Sequence, residues 1–201
     1  MQVLSAEEVS EGFLTSENLR VQADYVRADK DGLFFAHPEA ACIDLKYPIL
    51  ETLPFFARCL ATIGYEEQYF AGALIWFKNW GSWQPRDEGI GYRIVEKMNA
   101  AAGQPKSFEA GPGHRFRTDE FTDAVGMLLQ PMVFAWDCYY LPDWSYGSSS
   151  EYFIHVDTDS FVSVVARTRE FYDRAFQQLE KLKLNPKPGH KMQMDRFCRR
   201  P

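Results

Sequence analysis

The sequence predicts an α+β fold, a mostly antiparallel or mixed sheet of about five to six strands with helices packed on it. Two observations predict it. Segments of strand character come in neighbouring pairs interspersed with stretches of helical spacing, without the strict strand-helix alternation of a doubly wound fold. The 201 residues are also 46% hydrophobic and include 16 Phe, 10 Tyr and 5 Trp. That is enough apolar material for one core, and it excludes general disorder. The expected organisation is a single domain over residues 1–184 and a basic C-terminal tail over 185–201.

Ser5 and Glu8 have capping-box spacing, which predicts a short helix near 5–12. Leu19, Val21, Ala23 and Tyr25 alternate with polar residues as in a half-buried strand. Asp29-Lys30-Asp31-Gly32 is turn chemistry, Leu33-Phe34-Phe35 the return strand, and Cys42 to Leu45 a third strand. Leu53, Ala57 and Leu60 recur at helical spacing, with Pro54 in the first turn and Gly64 as the stop. Residues 69–77, YFAGALIWF, form an apolar run of strand length. Ile90, Ile94, Met98 and Ala101 define a helix started near Asp87 and ended by Gly103. Thr118-Asp119-Glu120 opens another, closed by Pro131.

Residues 132–141, MVFAWDCYYL, read as a second buried strand and 151–156 as its return. Phe161, Val165, Tyr172, Ala175, Phe176, Leu179 and Leu182 share one helical face, which predicts a last helix started by Asp157, Asp159 or Ser160.

Charge is uneven. The whole chain carries −6, yet Lys181, Lys183, Lys187, Lys191, Arg196, Arg199 and Arg200 face a single acid, Asp195, in residues 181–201. That segment is +6 and the remainder −12. A body this acidic repels phosphate backbones, which argues against duplex nucleic acid as a partner. The longest charge-free apolar stretch, Ala124 to Trp136, is shorter than a membrane span. Cys42, Cys59, Cys138 and Cys198 show no paired spacing, as expected of a cytoplasmic protein.

Four features carry candidate chemistry. Residues 109–117 form a Gly-Pro-Gly loop that presents His114, Arg115 and Arg117 before a helix, a place where an anion can bind; the other reading, and the preferred one, is a surface turn whose arginines pair with the acidic body. His155, Asp157 and Asp159 alternate, so a strand reaching that far puts them on one face as a proton-transfer pair or metal site; the other reading is helix capping. Asp137, between Trp136 and Cys138, is a carboxylate in an apolar strand, either functional or a hydrogen-bond anchor. Trp80 and Trp83, with Trp144 and Tyr146, stand where strands give way to loops and suit a binding surface. No nucleophile elbow, zinc-protease helix or nucleotide loop occurs, and no cofactor or metal is implied.

The expected function is that of a non-catalytic binding protein whose acidic surface takes a basic protein partner, as an immunity protein takes its toxin. The enzyme alternative is a small hydrolase or phosphate-ester enzyme in which His114, Asp137, His155 and Asp157 converge on one pocket. The third is a small-ligand binder with an apolar cleft between helices and sheet.

Overall fold

A computed structural model describes residues 1–9, 26–29, 32–65, 67–79, 89–142, 150–158 and 161–199. Its strands are β1 (Gln2–Leu4), β2 (Val26–Asp29), β3 (Gly32–Phe35), β4 (Ala41–Lys46), β5 (Ala73–Asn79), β6 (Gly113–Phe116), β7 (Asp137–Pro142), β8 (Tyr152–Val156), β9 (Phe161–Ala166) and β10 (Lys187–Pro188). The longer helices are α1 (Leu53–Ala61), α2 (Ile90–Ala101), α3 (Phe121–Phe134), α4 (Arg169–Lys181) and α5 (Lys191–Phe197). A helical turn over 6–9 is capped reciprocally: Ser5 Oγ accepts from Glu8 N–H at 3.1 Å and Glu8 Oε2 from Ser5 N–H at 2.6 Å.

One eight-stranded sheet runs in the order β1-β6-β5-β7-β8-β9-β4-β10, and each neighbouring pair is antiparallel. The mixed helix and strand content and the antiparallel sheet agree with the sequence expectation. The strand number does not: eight strands replace five to six, and β2 and β3 form a separate hairpin. Both faces of the sheet are covered, because successive strand side chains point to opposite sides. On one face Ile75, Phe77, Tyr140, Ile154, Val164 and Ile43 pack with Phe56, Leu60, Leu128 and Leu179 of α1, α3 and α4. On the other, Leu74, Trp76, Tyr139, Phe153, Val165 and Cys42 meet Leu33 and Phe35 of the hairpin and Phe197 of α5.

The hairpin register puts Asp29 opposite Gly32, so Gly32 opens the return strand instead of serving as a central turn residue, as the Asp-Gly reading has it. Gly32 has φ 128°, and a β-carbon there would stand 1.9 Å from the Tyr139 hydroxyl oxygen. The alternating segment read as a strand over 19–25 lies outside the described residues.

Four expectations are corrected. Residues 161–166 form β9 instead of the start of the last helix. The pair Phe161 and Val165 satisfies helical spacing, but β-branched Val162, Val164 and Val165 stiffen the chain in favour of a sheet between β8 and β4. The last helix starts at Arg169, capped by Thr168, whose Oγ1 accepts from Phe171 N–H at 3.2 Å.

Residues 132–134 complete α3 instead of opening a strand. Pro131 sits inside that helix, and left-handed Ala135 (φ 53°) ends it with Trp136 N–H donating to Pro131 O at 2.9 Å. The predicted loop around His114 is β6, held between β1 and β5. Finally, the segment read as lacking periodicity, a solvated terminus or one folded back on the body, carries β10 and α5 and docks on the sheet. β10 pairs with β4, Phe197 is buried, and Arg199 N–H donates to Phe35 O at 2.9 Å. Burial of Phe197 alone contributes about 2 kcal/mol to that docking.

Candidate functional site

On the second face a polar row crosses the apolar sheet. The registers align Tyr139 of β7, His155 of β8, Ser163 of β9 and Asp44 of β4 as successive cross-strand partners. Each occupies an alternate position between apolar neighbours that face the helices. At one end, His155 Nε2 lies 2.6 Å from Asp137 Oδ1. His155 is enclosed by the rings of Tyr139 and Phe197, at centroid distances of 4.8 and 5.1 Å. Asp137 keeps 22% of its side chain in water.

At the other end, Asp44 is a buried carboxylate with donors on both oxygens. Ser163 Oγ donates to Oδ1 at 3.0 Å, and His190 meets Oδ2 with its N–H at 3.0 Å and its ring Nδ1 at 2.6 Å. The side chain of Asp44 is 5% exposed while that of His190 is 68% exposed. A carboxylate on Nδ1 orients the imidazole and leaves Nε2 facing outward. Tyr139 closes the row: its hydroxyl accepts from Arg196 Nη2 at 3.1 Å, and burial raises its pKa to about 12.

The structure brings three of the four proposed catalytic residues to one end of the sheet and leaves the fourth elsewhere. Cys138 opposes Val156, which sets Asp137 and Asp157 side by side at the strand ends near Tyr47. The Tyr47 hydroxyl donates to Asp157 O at 3.1 Å, and Asp157 N–H donates to Phe161 O at 2.9 Å. Asp157 is therefore part of the β8-β9 turn and does not cap a helix. Its neighbour Asp159 lies outside the described residues.

His114 belongs to the opposite face, where its ring stands edge-on to Phe77 at 5.6 Å. β5 and β7 separate β6 from β8, a lateral distance of roughly 14 Å. His114 and His155 therefore cannot share a reacting atom. Burial holds His114 down to a pKa of about 3, so its ring is neutral. Asn99 Nδ2 donates to Lys106 O at 3.1 Å, which turns Asn99 Oδ1 toward the ring as acceptor for His114 Nε2–H at 2.9 Å.

At the loop read as an anion site, Arg117 is engaged with neighbouring acids, Asp119 at 3.3 Å and Glu120 at 3.2 Å. Arg115 lies within β6, opposite Gln2 and Leu74. Trp80, Trp83, Trp144 and Tyr146 lie outside the described residues. Among the described residues no group of three or more His, Cys, Asp or Glu is arranged to hold a metal.

The residues that sequence reasoning missed are Asp44, Ser163 and His190. Asp44 carried the same signal as Asp137, a lone carboxylate inside an apolar strand segment. No family model, curated protein or solved structure matches the chain.

Proposed function

We propose that this chain is a non-catalytic binding protein whose anionic surface takes a basic protein partner. The observation that carries the reading is charge polarity across the sheet. β10, which carries Lys187, occupies one edge of the sheet and β1 the other, roughly 30 Å away. Glu7 and Glu109, both exposed, flank β1 and β6 at that far edge, beside Asp119, which pairs with Arg117. Lys187 stays at the β4 edge and Arg196 lies over mid-sheet at the Tyr139 hydroxyl of β7, both away from β1. His155, the imidazole nearest the candidate carboxylates, is closed off by aromatic rings, as suits a structural anchor better than a proton carrier.

The four cysteines are free thiols, which supports a reducing, cytoplasmic setting. Among the described residues no helix is long and apolar enough to cross a membrane. The small-ligand alternative is favoured by one observation, a cleft at the β4 edge.

The test is affinity capture at low ionic strength with the intact protein and with E7K/E109K/D119K. A high-pI protein retained by the first, released by salt and lost by the second is expected. Empty eluates, or capture unchanged by charge reversal, overturn the proposal.

A further inference from the structure

We propose that the cleft at the β4-β10 edge, about 550 Å³ in volume, binds a small organic anion: a carboxylate or phosphate carried on an aromatic or aliphatic body. This goes beyond the basic-partner reading, because it concerns the opposite edge of the sheet and the opposite sign of charge.

Lys46, Lys183, Lys187 and His190 line the cleft against a single acid, Asp44. The three lysines against one carboxylate give the lining a formal +2 in a chain of formal −6. Asp44 is turned away from the opening, its oxygens occupied by Ser163 Oγ and by His190. Among the described residues none of the three lysines forms an ion pair. Three ammonium groups around one concavity repel one another and focus a positive potential into it, which an anion relieves.

The floor has another character. Phe161, Leu184 and Pro48 supply half-buried apolar surface, backed by buried Phe56. A bare inorganic anion leaves that surface wet, and a neutral ring leaves the ammonium groups without a partner. A ligand with both parts satisfies both, and the volume suits one of modest size.

The lysines are held by a shaped backbone. Lys183 and Asn185 adopt left-handed φ of 58° and 50°, which side chains other than glycine rarely take. The alternation turns Leu184 into the core and leaves Lys183 and Asn185 exposed. Leu184 N–H donates to Leu179 O at 3.0 Å, and Gly189 N–H to Cys42 O at 2.8 Å. A β-carbon on Gly189 would come within 2.5 Å of Cys42 Cβ, so the chain can approach β4 this closely only with glycine there.

The experiment is titration of the full chain with phenyl phosphate, read by calorimetry and by amide shifts of Lys187 and His190. Benzyl alcohol and inorganic phosphate serve as the two half-ligands. Saturable binding is expected, tighter than either half-ligand and weakened about tenfold or more in K183E/K187E. Both side chains are exposed, and circular dichroism checks the fold of the variant. K183M/K187M, which keeps the aliphatic stems, should show the same loss. Absence of saturation, shifts centred away from the cleft, or unchanged affinity in both variants overturns the proposal.

Discussion

Cys42 and Cys198 lie with their sulfurs 3.3 Å apart although 156 positions separate them in the chain. An oxidant of the disulfide class, oxidised glutathione, should join them. Cys198 is the more exposed of the two and forms the mixed disulfide, releasing one glutathione thiol. Cys42 then displaces the second glutathione and closes the bond. Its thiol pKa is pushed far up by the hydrogen bond to Cys198 and by burial, so closure is slow at neutral pH and quickens with alkali.

The crosslink removes loop-closure entropy from the unfolded chain, with a ceiling of about 5 kcal/mol for a loop of this length. The sulfurs must close to about 2.05 Å, and that adjustment takes part of the gain. With about 2 to 4 kcal/mol remaining, at about 2 °C per kcal/mol for a chain of this size, Tm should rise by about 4 to 8 °C. The assay is oxidation of the native protein, acid quenching and thiol titration in denaturant, followed by a thermal melt of the oxidised protein, with C198S as control. Two of the four thiols should disappear, and C198S should show neither that loss nor the shift. Retention of all four thiols, or a crosslinked protein that melts no higher, refutes the reasoning.

Three further outcomes are expected. G32A should lower stability by about 3 kcal/mol in urea titration, since its β-carbon meets the Tyr139 hydroxyl at a φ of 128°; Y139F should leave more room and soften the loss. T168A should cost about 1 kcal/mol while D157A leaves α4 intact, because Thr168 holds the cap; equal losses would show the cap to be misassigned. His114 should make stability fall as pH drops. Its pKa is lowered from 6.5 to about 3, so below 6.5 the unfolded chain takes up a proton that the native chain refuses. Stability then declines by about 1.4 kcal/mol per pH unit, or about 2 kcal/mol between pH 6.5 and 5. Denaturant titrations at the two pH values should show a smaller decline in H114Q, and an identical one would remove His114 as the cause.

The elements legible in the sequence were those whose signal is local. Ser5 and Glu8 cap each other's backbone N–H within one turn, Pro54 stands in the first turn of α1 where its missing N–H costs nothing, and Asp29 meets Gly32 across a short hairpin. Those missed depend on distant partners. Gly113 to Phe116 is a strand because β1 and β5 flank it, and nothing within four residues containing a glycine says so. Residues 161–166 carry both periodicities at once, and the partner strands decide between them. Pro131 was misjudged for another reason: a proline in the closing turn of a helix loses one hydrogen bond there, and burial of Met127, Leu128 and Met132 outweighs it. At the site, Asp137 with His155 was legible from two separate clues, while Asp44 with His190 required knowing that the tail returns.

That return has a cause in the second face of the sheet, where the polar row would otherwise be poorly satisfied. Without residues 187–199, Asp44 loses two of its three donors and the Tyr139 hydroxyl loses Arg196. Phe35 and Phe153 would lose their cover, since Phe197 packs beside both. Burial and hydrogen bonding therefore fix where the segment docks, and its lysines arrive at the β4 edge as passengers of that packing. The segregation of charge follows from how the core is closed, with no need for the tail's cations to seek the body's acids. A truncation that removed the segment would abolish the cleft and erase the charge gradient together. For this reason the two binding proposals are best separated by point substitutions, at Lys183 and Lys187 on one edge and at Glu7, Glu109 and Asp119 on the other.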